Sequence, residues 1–428
     1  MPNKPVVAVT NPLQFAYLRQ QRPLNVIASR HGLMADYASE LGFTDEVQLY
    51  EVANTPQALV EADATPGAAY ISWKPVPVAK PVLGNAYNTT HQLEQKTLIR
   101  QLLPAELFPA FVTIPTEQVA AMEFNHLAQL LDDNNLVVQI DDSTGGKGTF
   151  LVDNAVQLEA LLPQLLAAAQ PLAVSRRIKG VSRGLQCMIY DGRVLGLPWW
   201  HKDLVGLAEV CKLDDPAATH YCGAVLENIP AEFQTTVQRL IERVGKFLIE
   251  SGYYGIFGLD IVVDEATGQI YLIEINPRFT AVSHLYATAM RAVGYETDFL
   301  TAHVQGLLDG PDKATADQLT VARPLPAEFY YFKLQNLSNS PVRLKDDCRL
   351  GVYSSEGRYL RFGWGIDALR QASEMVVIPE FARSLQRSSG DRVFSVIGRG
   401  DPLQTGRLSS EMTVRLEQLR QQFLVAAE

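Results

Sequence analysis

Two apolar runs, GLDIVV (258–263) and IYLIEI (270–275), flank the turn-forming residues DEATGQ (264–269). Runs of this length joined by so short a polar link read as a β-hairpin, with Gly268 near the far end of its loop. Glu274 and Asn276 are set into the second run on alternate positions, and Arg278 follows at the same spacing. Strand side chains at i, i+2 and i+4 point to one face, so the three share a side. Burying charge there is costly unless it is paired or bound to a metal. Pro277 removes a ladder donor, so the strand is expected to end there and its polar face to open into a cleft. If Asp264 lies opposite Ile270, counting back along both strands sets Asp260 opposite Glu274, a pairing that a one-residue slip would break.

Under that register Asp260, Glu274 and Asn276 form an oxygen-only cluster beside Arg278. Two carboxylates so close repel each other unless a cation lies between them. A few hard oxygen ligands, with room left for water and phosphate, suit Mg²⁺. A salt bridge between Glu274 and Arg278 is the plainer reading, and it leaves Asp260 and Asn276 unexplained.

A second signal lies upstream, where the apolar LVVQI (136–140) runs into DDSTGGKGTF (141–150). The backbone amides of such a glycine-rich loop can cradle phosphate. The loop is not GxxxxGK[ST], and Phe150, Leu151 and Val152 continue it as a strand, so it is no P-loop. By itself it reads equally well as a glycine-rich hairpin turn.

The rest of the chain places these features. KPVVAVTN (4–11), LNVIAS (24–29) and AAYISW (68–73) read as buried strands, the first ending in an Asn11–Pro12 turn. Helical stretches at 32–42 and 55–63 alternate with them, as in a parallel α/β layer without a GxGxxG fingerprint. The proline-rich KPVPVAKPVLG (74–84) marks a boundary, and a helix is expected over 90–103, stopped by Pro104. Further helices are expected near 154–169, 231–251, 283–293, 297–308 and 408–426. Strands are expected at 172–178 and in a hairpin turning at Asp191–Gly192. GPDKATAD (310–317) reads as a linker to a smaller mixed region.

Composition narrows the class. The net charge of -10 and pI near 5.3 argue against a general nucleic-acid binder. No stretch of about 18 uninterrupted apolar residues is present, so no membrane span is expected. Four scattered cysteines without a CxxC pair and an N-terminus without a signal-peptide core fit a cytoplasmic protein.

Taken together, the glycine-rich loop and the Asp…Glu-x-Asn-Pro-Arg hairpin roughly a hundred residues later resemble the ATP-grasp superfamily. The likeness covers about residues 90–310. It implies an ATP-grasp fold of α/β class, α+β in its ATP-binding part. An N-terminal Rossmann-like domain (1–89) would precede the ATP-grasp domain (90–310), whose lid spans 136–182, and a small mixed C-terminal domain (318–428) would follow. By resemblance, Asp260, Glu274 and Asn276 would hold Mg²⁺ on the outer phosphates of ATP, with Mn²⁺ able to substitute. Arg278 would neutralise phosphate or an acyl-phosphate, and Gly145, Gly146, Lys147 and Gly148 would close over the phosphates. Lys96 stands where the family often has a phosphate-binding lysine. Gln139 stands where a lysine usually ends the strand before the loop, and a lysine there is expected to be tolerated. Ser175, Arg176, Arg177 and Ile178 replace the acids that usually run past the adenine, leaving their backbone to reach it.

The resemblance implies a ligase that activates a carboxylate as an acyl-phosphate and joins it to an amine, both small molecules. A biotin-carboxylase-like enzyme and a nucleotide-binding protein without turnover are the alternatives, and a homodimer stays open. The segment FTAVSH (279–284) leaves the cleft and is well placed to touch substrate. His201, Lys202 and His220 have weaker claims, and Trp199 and Trp200 read as core.

Overall fold

The structure is a computed structural model that describes residues 6–9, 25–29, 49–52, 69–72, 85, 87–143, 146, 148–213, 220–381 and 383–427. The expected Asn11–Pro12 turn, the helices at 32–42 and 55–63 and the boundary at 74–84 lie outside these residues. Four N-terminal strands, β1 Val6–Val9, β2 Asn25–Ser29, β3 Leu49–Val52 and β4 Ala69–Ser72, form a parallel sheet of order β3-β2-β1-β4. The polar-flanked β3 is one more than the sequence pattern indicates.

The expected helix over 90–103 is two, α1 Tyr87–Glu94 and α2 Lys96–Leu102, because Gln95 is extended between them. An antiparallel sheet follows, of order β5-β8-β6-β7: β5 Phe111–Ile114, β6 Leu136–Ile140, β7 Thr149–Val152 and β8 Leu172–Arg176. Helices α3 Phe124–Leu131 and α4 Ala155–Ala168 bury Leu127, Leu158 and Leu165 against Leu136, Val138 and Val174 of this sheet.

The main sheet is antiparallel throughout. Its strands are β9 Gly180–Tyr190, β10 Arg193–Gly196, β11 Trp199–Val205, β12 Tyr221–Asn228, β13 Gly255–Asp264, β14 Ile270–Asn276 and β15 Phe329–Gln335. The short β16 Val342–Leu344 pairs with Leu424–Ala426 apart from it, and β17 Gly351–Tyr353, β18 Tyr359–Arg361, β19 Met375–Pro379 and β20 Arg392–Arg399 rejoin it. The order is β14-β13-β9-β11-β12-β15-β20-β19-β17-β18, with β10 on β9. The turn at Asp191–Gly192 closes β9 onto β10 with both residues at positive φ, the backbone that such tight hairpins require.

Both faces of this sheet are covered. Helix α5 Ala231–Glu250 has Val237, Leu240, Ile241, Val244 and Leu248 at helical spacing and packs them on Leu259, Ile261, Leu272 and Ile275. The opposite face receives α6 Ser283–Ala292, α7 Phe299–Asp309 and α8 Lys313–Leu319, through Leu285, Met290, Phe299, Val304 and Leu319. Trp199 and Trp200, adjacent in β11, enter these two cores from opposite sides, as a period of two demands.

Three expectations change here. The stretch read as a linker, 310–317, holds α8, capped by the Asp312 carboxylate and anchored by buried Ala316 and Leu319. The C-terminal strands extend the main sheet, because β15 pairs directly with β12. The last helix, α9 Ser410–Phe423, ends earlier than its apolar pattern suggests, and Leu424–Ala426 leaves it as a strand. No helix among the described residues is long and apolar enough to cross a membrane.

Candidate active site

The β13–β14 hairpin forms as its sequence indicates, and Asp260 pairs with Glu274. It reaches that pairing by a different route. At the turn Val263, not Asp264, lies opposite Ile270, and the ladder shifts between Asp260 and Ile261. Ile273 is the extra residue, a β-bulge. In an unbroken ladder counted from Val263 and Ile270, Glu274 would oppose Leu259 on the core face. The bulge returns Glu274 and Asn276 to the face of Asp260.

Helix α2 packs against this bulge with three functional groups. Lys96 is 1% exposed, and its Nζ donates to the carbonyls of Asp141 at 3.2 Å and Ser143 at 3.1 Å. It also lies 3.5 Å from Glu274 Oε2, so one ammonium ties the base of the glycine-rich loop to the acidic pair. Asp141 Oδ1 accepts from the Thr97 backbone N–H at 2.8 Å, at the exposed-dipole end of α2. One turn on, Arg100 donates to Gln139 Oε1 at 2.8 Å and to the bulged Ile273 carbonyl at 3.3 Å. Burial pushes the Arg100 guanidinium down to about 10, against the pull of Glu274 and Asp141.

Arg100 was not legible as a site residue from motif spacing. Its only signal is its i, i+4 position from Lys96 on one helix face. It supplies positive charge beside Gln139, the position without the usual lysine.

The salt bridge considered between Glu274 and Arg278 does not form. Arg278 Nε donates to Glu94 Oε1, and its Nη2 donates to Asn276 Oδ1 at 2.8 Å. Asn276 Nδ2 in turn donates to Asp260 Oδ2 at 3.1 Å. The order Glu94–Arg278–Asn276–Asp260 is therefore a continuous polar chain between α1 and the hairpin.

Asp260 carries the strain of the arrangement. Burial raises its carboxyl well above the ordinary range, Glu274 and Asp203 raise it further, and Arg278 and the Asn276 amide oppose them. Asp203 comes from β11, where Ser182 Oγ donates to it at 2.7 Å and His201 Nε2 lies 3.5 Å away. The His201 ring lies over Gly184, the residue paired with Asp260, and any side chain there would strike it: a Cβ would stand 2.1 Å from the ring. Burial lowers the His201 imidazole, with Asp203 opposing, and Tyr286 shares its other nitrogen at 3.1 Å.

Among the described residues no three His, Cys, Asp or Glu side chains form a metal cage. Two facing carboxylates, one of them held far from comfortable ionisation, fit a cation that takes its remaining ligands from phosphate and water. Asn276 turns its amide nitrogen toward Asp260, so its oxygen becomes available only after the amide rotates.

Of the loop, Gly145 and Lys147 lie outside the described residues. Gly146 has φ 79°, and Gly148 is packed so that a Cβ would meet Ser143 at 2.3 Å. Thr149 and the residues after it form β7, making the loop a hairpin turn between β6 and β7. Ser175 is buried and paired on both sides, with Phe111 and Val137. The Arg176 and Arg177 amides donate to the Ala110 and Asn135 carbonyls, and Arg176 Nη2 reaches Tyr271 Oη at 3.3 Å. Half-buried Ile178 follows the ladder, in the connection to β9.

Among the weaker candidates, Lys202 is engaged by Asp401 at 2.8 Å and His220 is half-buried. In the FTAVSH segment, Thr280 and Ser283 bind Gln186 Oε1, and His284 lies edge-on to Tyr331 at 4.9 Å. The four cysteines are free thiols, with Cys211 and Cys222 sulfurs 2.8 Å apart. A surface cavity of about 460 Å³ beside Glu356, Arg415 and Gln422 shares no residue with this cluster.

Residues 87–282 match the family model of the ATP-grasp domain. Among curated proteins, the arginine-specific large chain of carbamoyl phosphate synthase from Geobacillus stearothermophilus is 26% identical over 202 residues. That match spans 46% of this chain and 17% of the relative's own length. Solved structures share the fold at low identity. The L-amino acid ligase of Bacillus licheniformis has TM-score 0.62 at 12% identity, covering 100% of this chain and 99% of that one. The biotin carboxylase domain of Hydrogenobacter thermophilus 2-oxoglutarate carboxylase, a dimer with MgADP, ADP and bicarbonate, has TM-score 0.62 at 11% identity, covering 92% and 86%. N5-carboxyaminoimidazole synthetase from Staphylococcus aureus, with ADP, has TM-score 0.58 at 11% identity, covering 98% and 96%.

Proposed function

The chain carries an ATP-grasp domain over residues 87–282, and on that premise we propose that it is an ADP-forming ligase joining a small carboxylic acid to an amine. The observation that carries the reading is the facing pair Asp260 and Glu274 beside Lys96 and the base of the glycine-rich loop. Asp260 and Glu274 would hold Mg²⁺, with Mn²⁺ able to replace it, and Asn276 would join them once its amide turns. When bound, the ion neutralises the outer phosphate oxygens of ATP.

The chain's own residues do the positioning. Lys96 holds the loop base at the acidic pair, so the amides of Gly146 and Gly148 and the Lys147 ammonium would close over the phosphates. Arg278, oriented by Glu94, would stabilise charge on the transferred phosphoryl group. A carboxylate oxygen of the acid attacks the terminal phosphorus and ADP leaves. The amine nitrogen then attacks the acyl carbon, phosphate departs with the transferred oxygen, and the amine's proton goes to solvent. A closed lid over 136–182 would keep water from the acyl-phosphate. Ile178 and its backbone would face the adenine, because Ser175 and Arg176 are committed to the sheet.

We place this chemistry in a cytoplasmic homodimer whose chain runs from an N-terminal part, 1–89, into the ATP-grasp part, 90–310, with 318–428 continuing the main sheet through β15. Incubating the protein with MgATP and pairs of acids and amines, with ADP and product mass as readouts, tests the reading. ADP release that needs both an acid and an amine, and is lost in Asp260→Asn, is expected. Release of ADP with no acid dependence would reject it.

A further inference from the structure

Beyond the acidic pair, the same sheet face carries a buried cation that forms no ion pair among the described residues. The registers place it there. Asp260 pairs with Gly184 and Gly184 with His201, so Asp203, two residues on, shares their face. Asp203 pairs with Ala224 and Ala224 with Tyr331, which brings Lys333 to that face as well. A bulge at Cys222, where the ladder steps from Gly223 to Tyr221, turns Tyr221 toward it.

Lys333 is 8% exposed. Its Nζ lies 5.1 Å from the Tyr221 ring centroid and 5.8 Å from that of Tyr331. Among the described residues it has no carboxylate within ion-pair distance. Glu380, the nearest acid in charge effect, is bound to Ser395 Oγ, which also meets Tyr331 Oη at 3.2 Å. His284, the last residue of the segment leaving β14, stands edge-on to Tyr331 with ring centroids 4.9 Å apart. Among the described residues this ammonium is held by aromatic faces, so an incoming carboxylate meets a cation already stripped of water. Along the sheet, β13 and β15 are four strand spacings apart, about 19 Å at 4.8 Å per strand before curvature and side-chain reach shorten the gap.

We propose that Lys333, seated between Tyr221 and Tyr331 on the sheet face that carries Asp260, binds a second carboxylate of the substrate, one that is not activated. This deepens the ligase reading and rests on it for the identity of the bound molecule as a substrate. The ligand class is then an acid or amine bearing an additional carboxylate, reaching from the phosphate end of the cleft to β15.

Melting temperatures measured without nucleotide, with acetate, succinate and L-glutamate as probes, test the subsite. Succinate or L-glutamate should raise the wild-type melting temperature more than acetate does. The shift should vanish in Lys333→Met and persist in Lys333→Arg, with apparent affinity falling at least tenfold in the methionine variant. Lys333→Met should melt no lower than wild type in the absence of ligand. The proposal is overturned if none of the three anions shifts the wild type, or if Lys333→Met keeps the shift. A lower ligand-free melting temperature with an unchanged anion shift assigns the lysine to packing and also overturns it. The MgATP shift, measured on the same variants, is read separately: its absence in wild type rejects the ligase reading and leaves the anion result standing.

Discussion

Asp260 faces Glu274 because Ile273 is extruded from the ladder between them. The extruded carbonyl does not go unpaired. Arg100 donates to it, and the same guanidinium holds Gln139 in the neighbouring sheet. The bulge, the helix and the strand before the glycine-rich loop are thus fastened by one side chain, and the acidic pair is held where the loop base meets it.

Asp260 is the acid whose ionisation the fold opposes, so Asp260→Asn should relieve repulsion rather than remove support. Its melting temperature without metal is expected to equal or exceed that of wild type, while stabilisation by Mg²⁺ with ATP disappears. Calorimetry with and without MgATP checks both halves. A large loss of metal-free stability would show that Asp260 is a structural partner of Asn276 instead.

Lys96 joins four acceptors: the Asp141 and Ser143 carbonyls, the Ser143 hydroxyl and Glu274. Lys96→Met keeps the stem's packing but strands those groups, so a loss of about 1–3 kcal/mol is expected even without nucleotide. Denaturant unfolding measures it. If stability holds and only ATP binding weakens, the lysine serves phosphate alone.

The Arg100–Gln139 contact gives the sharpest stability test. The expectation that a lysine would be tolerated there meets a position 3% exposed and already bonded to Arg100. Gln139→Lys should cost about 3–5 kcal/mol, the scale of an uncompensated buried charge. Combining it with Arg100→Gln exchanges the two groups and should recover most of that loss. A double-mutant cycle on unfolding free energies reads the coupling, and additive losses would refute it.

Lys333 should give a pH signature. Burial first, and Arg392 second, push its ammonium down to about 7, with Glu380 opposing. Well below pH 7 it is protonated in both states and folding bears the full cost of the buried charge. Between pH 7 and the ordinary value of 10.5 the unfolded chain holds more protons, so this contribution to stability rises with pH. The advantage of Lys333→Met over wild type should therefore be largest near pH 7 and shrink toward pH 10. Tyr221, Tyr331, Glu380 and Arg392 surround the site in both proteins, whereas His284, pushed down to about 4 by burial and then by Lys333, is partly relieved in the variant. Parallel denaturation series at pH 6.5, 8 and 9.5 would expose a flat difference, which contradicts the assignment.

Local chemistry was legible in the chain itself. Alternation of apolar and polar residues marks the β13–β14 hairpin and its acidic face, the glycines mark the turn between β6 and β7, and helical spacing marks α5. These signals survive because pleat, turn and helix periods act over a few neighbouring residues. The tertiary structure decided what depends on distant partners. Residues 310–317 look like a linker until helix α8 forms there and Ala316 and Leu319 find a core to bury in. Arg278 could have paired with Glu274, but docking of α1 brings Glu94 to it first. Arg100 and Lys333 look like ordinary cations in sequence. Only the bulge at Ile273 and the pairing of β12 with β15 bring one to Gln139 and leave the other between two tyrosines, because a one-residue change of register moves a side chain from one face of a sheet to the other.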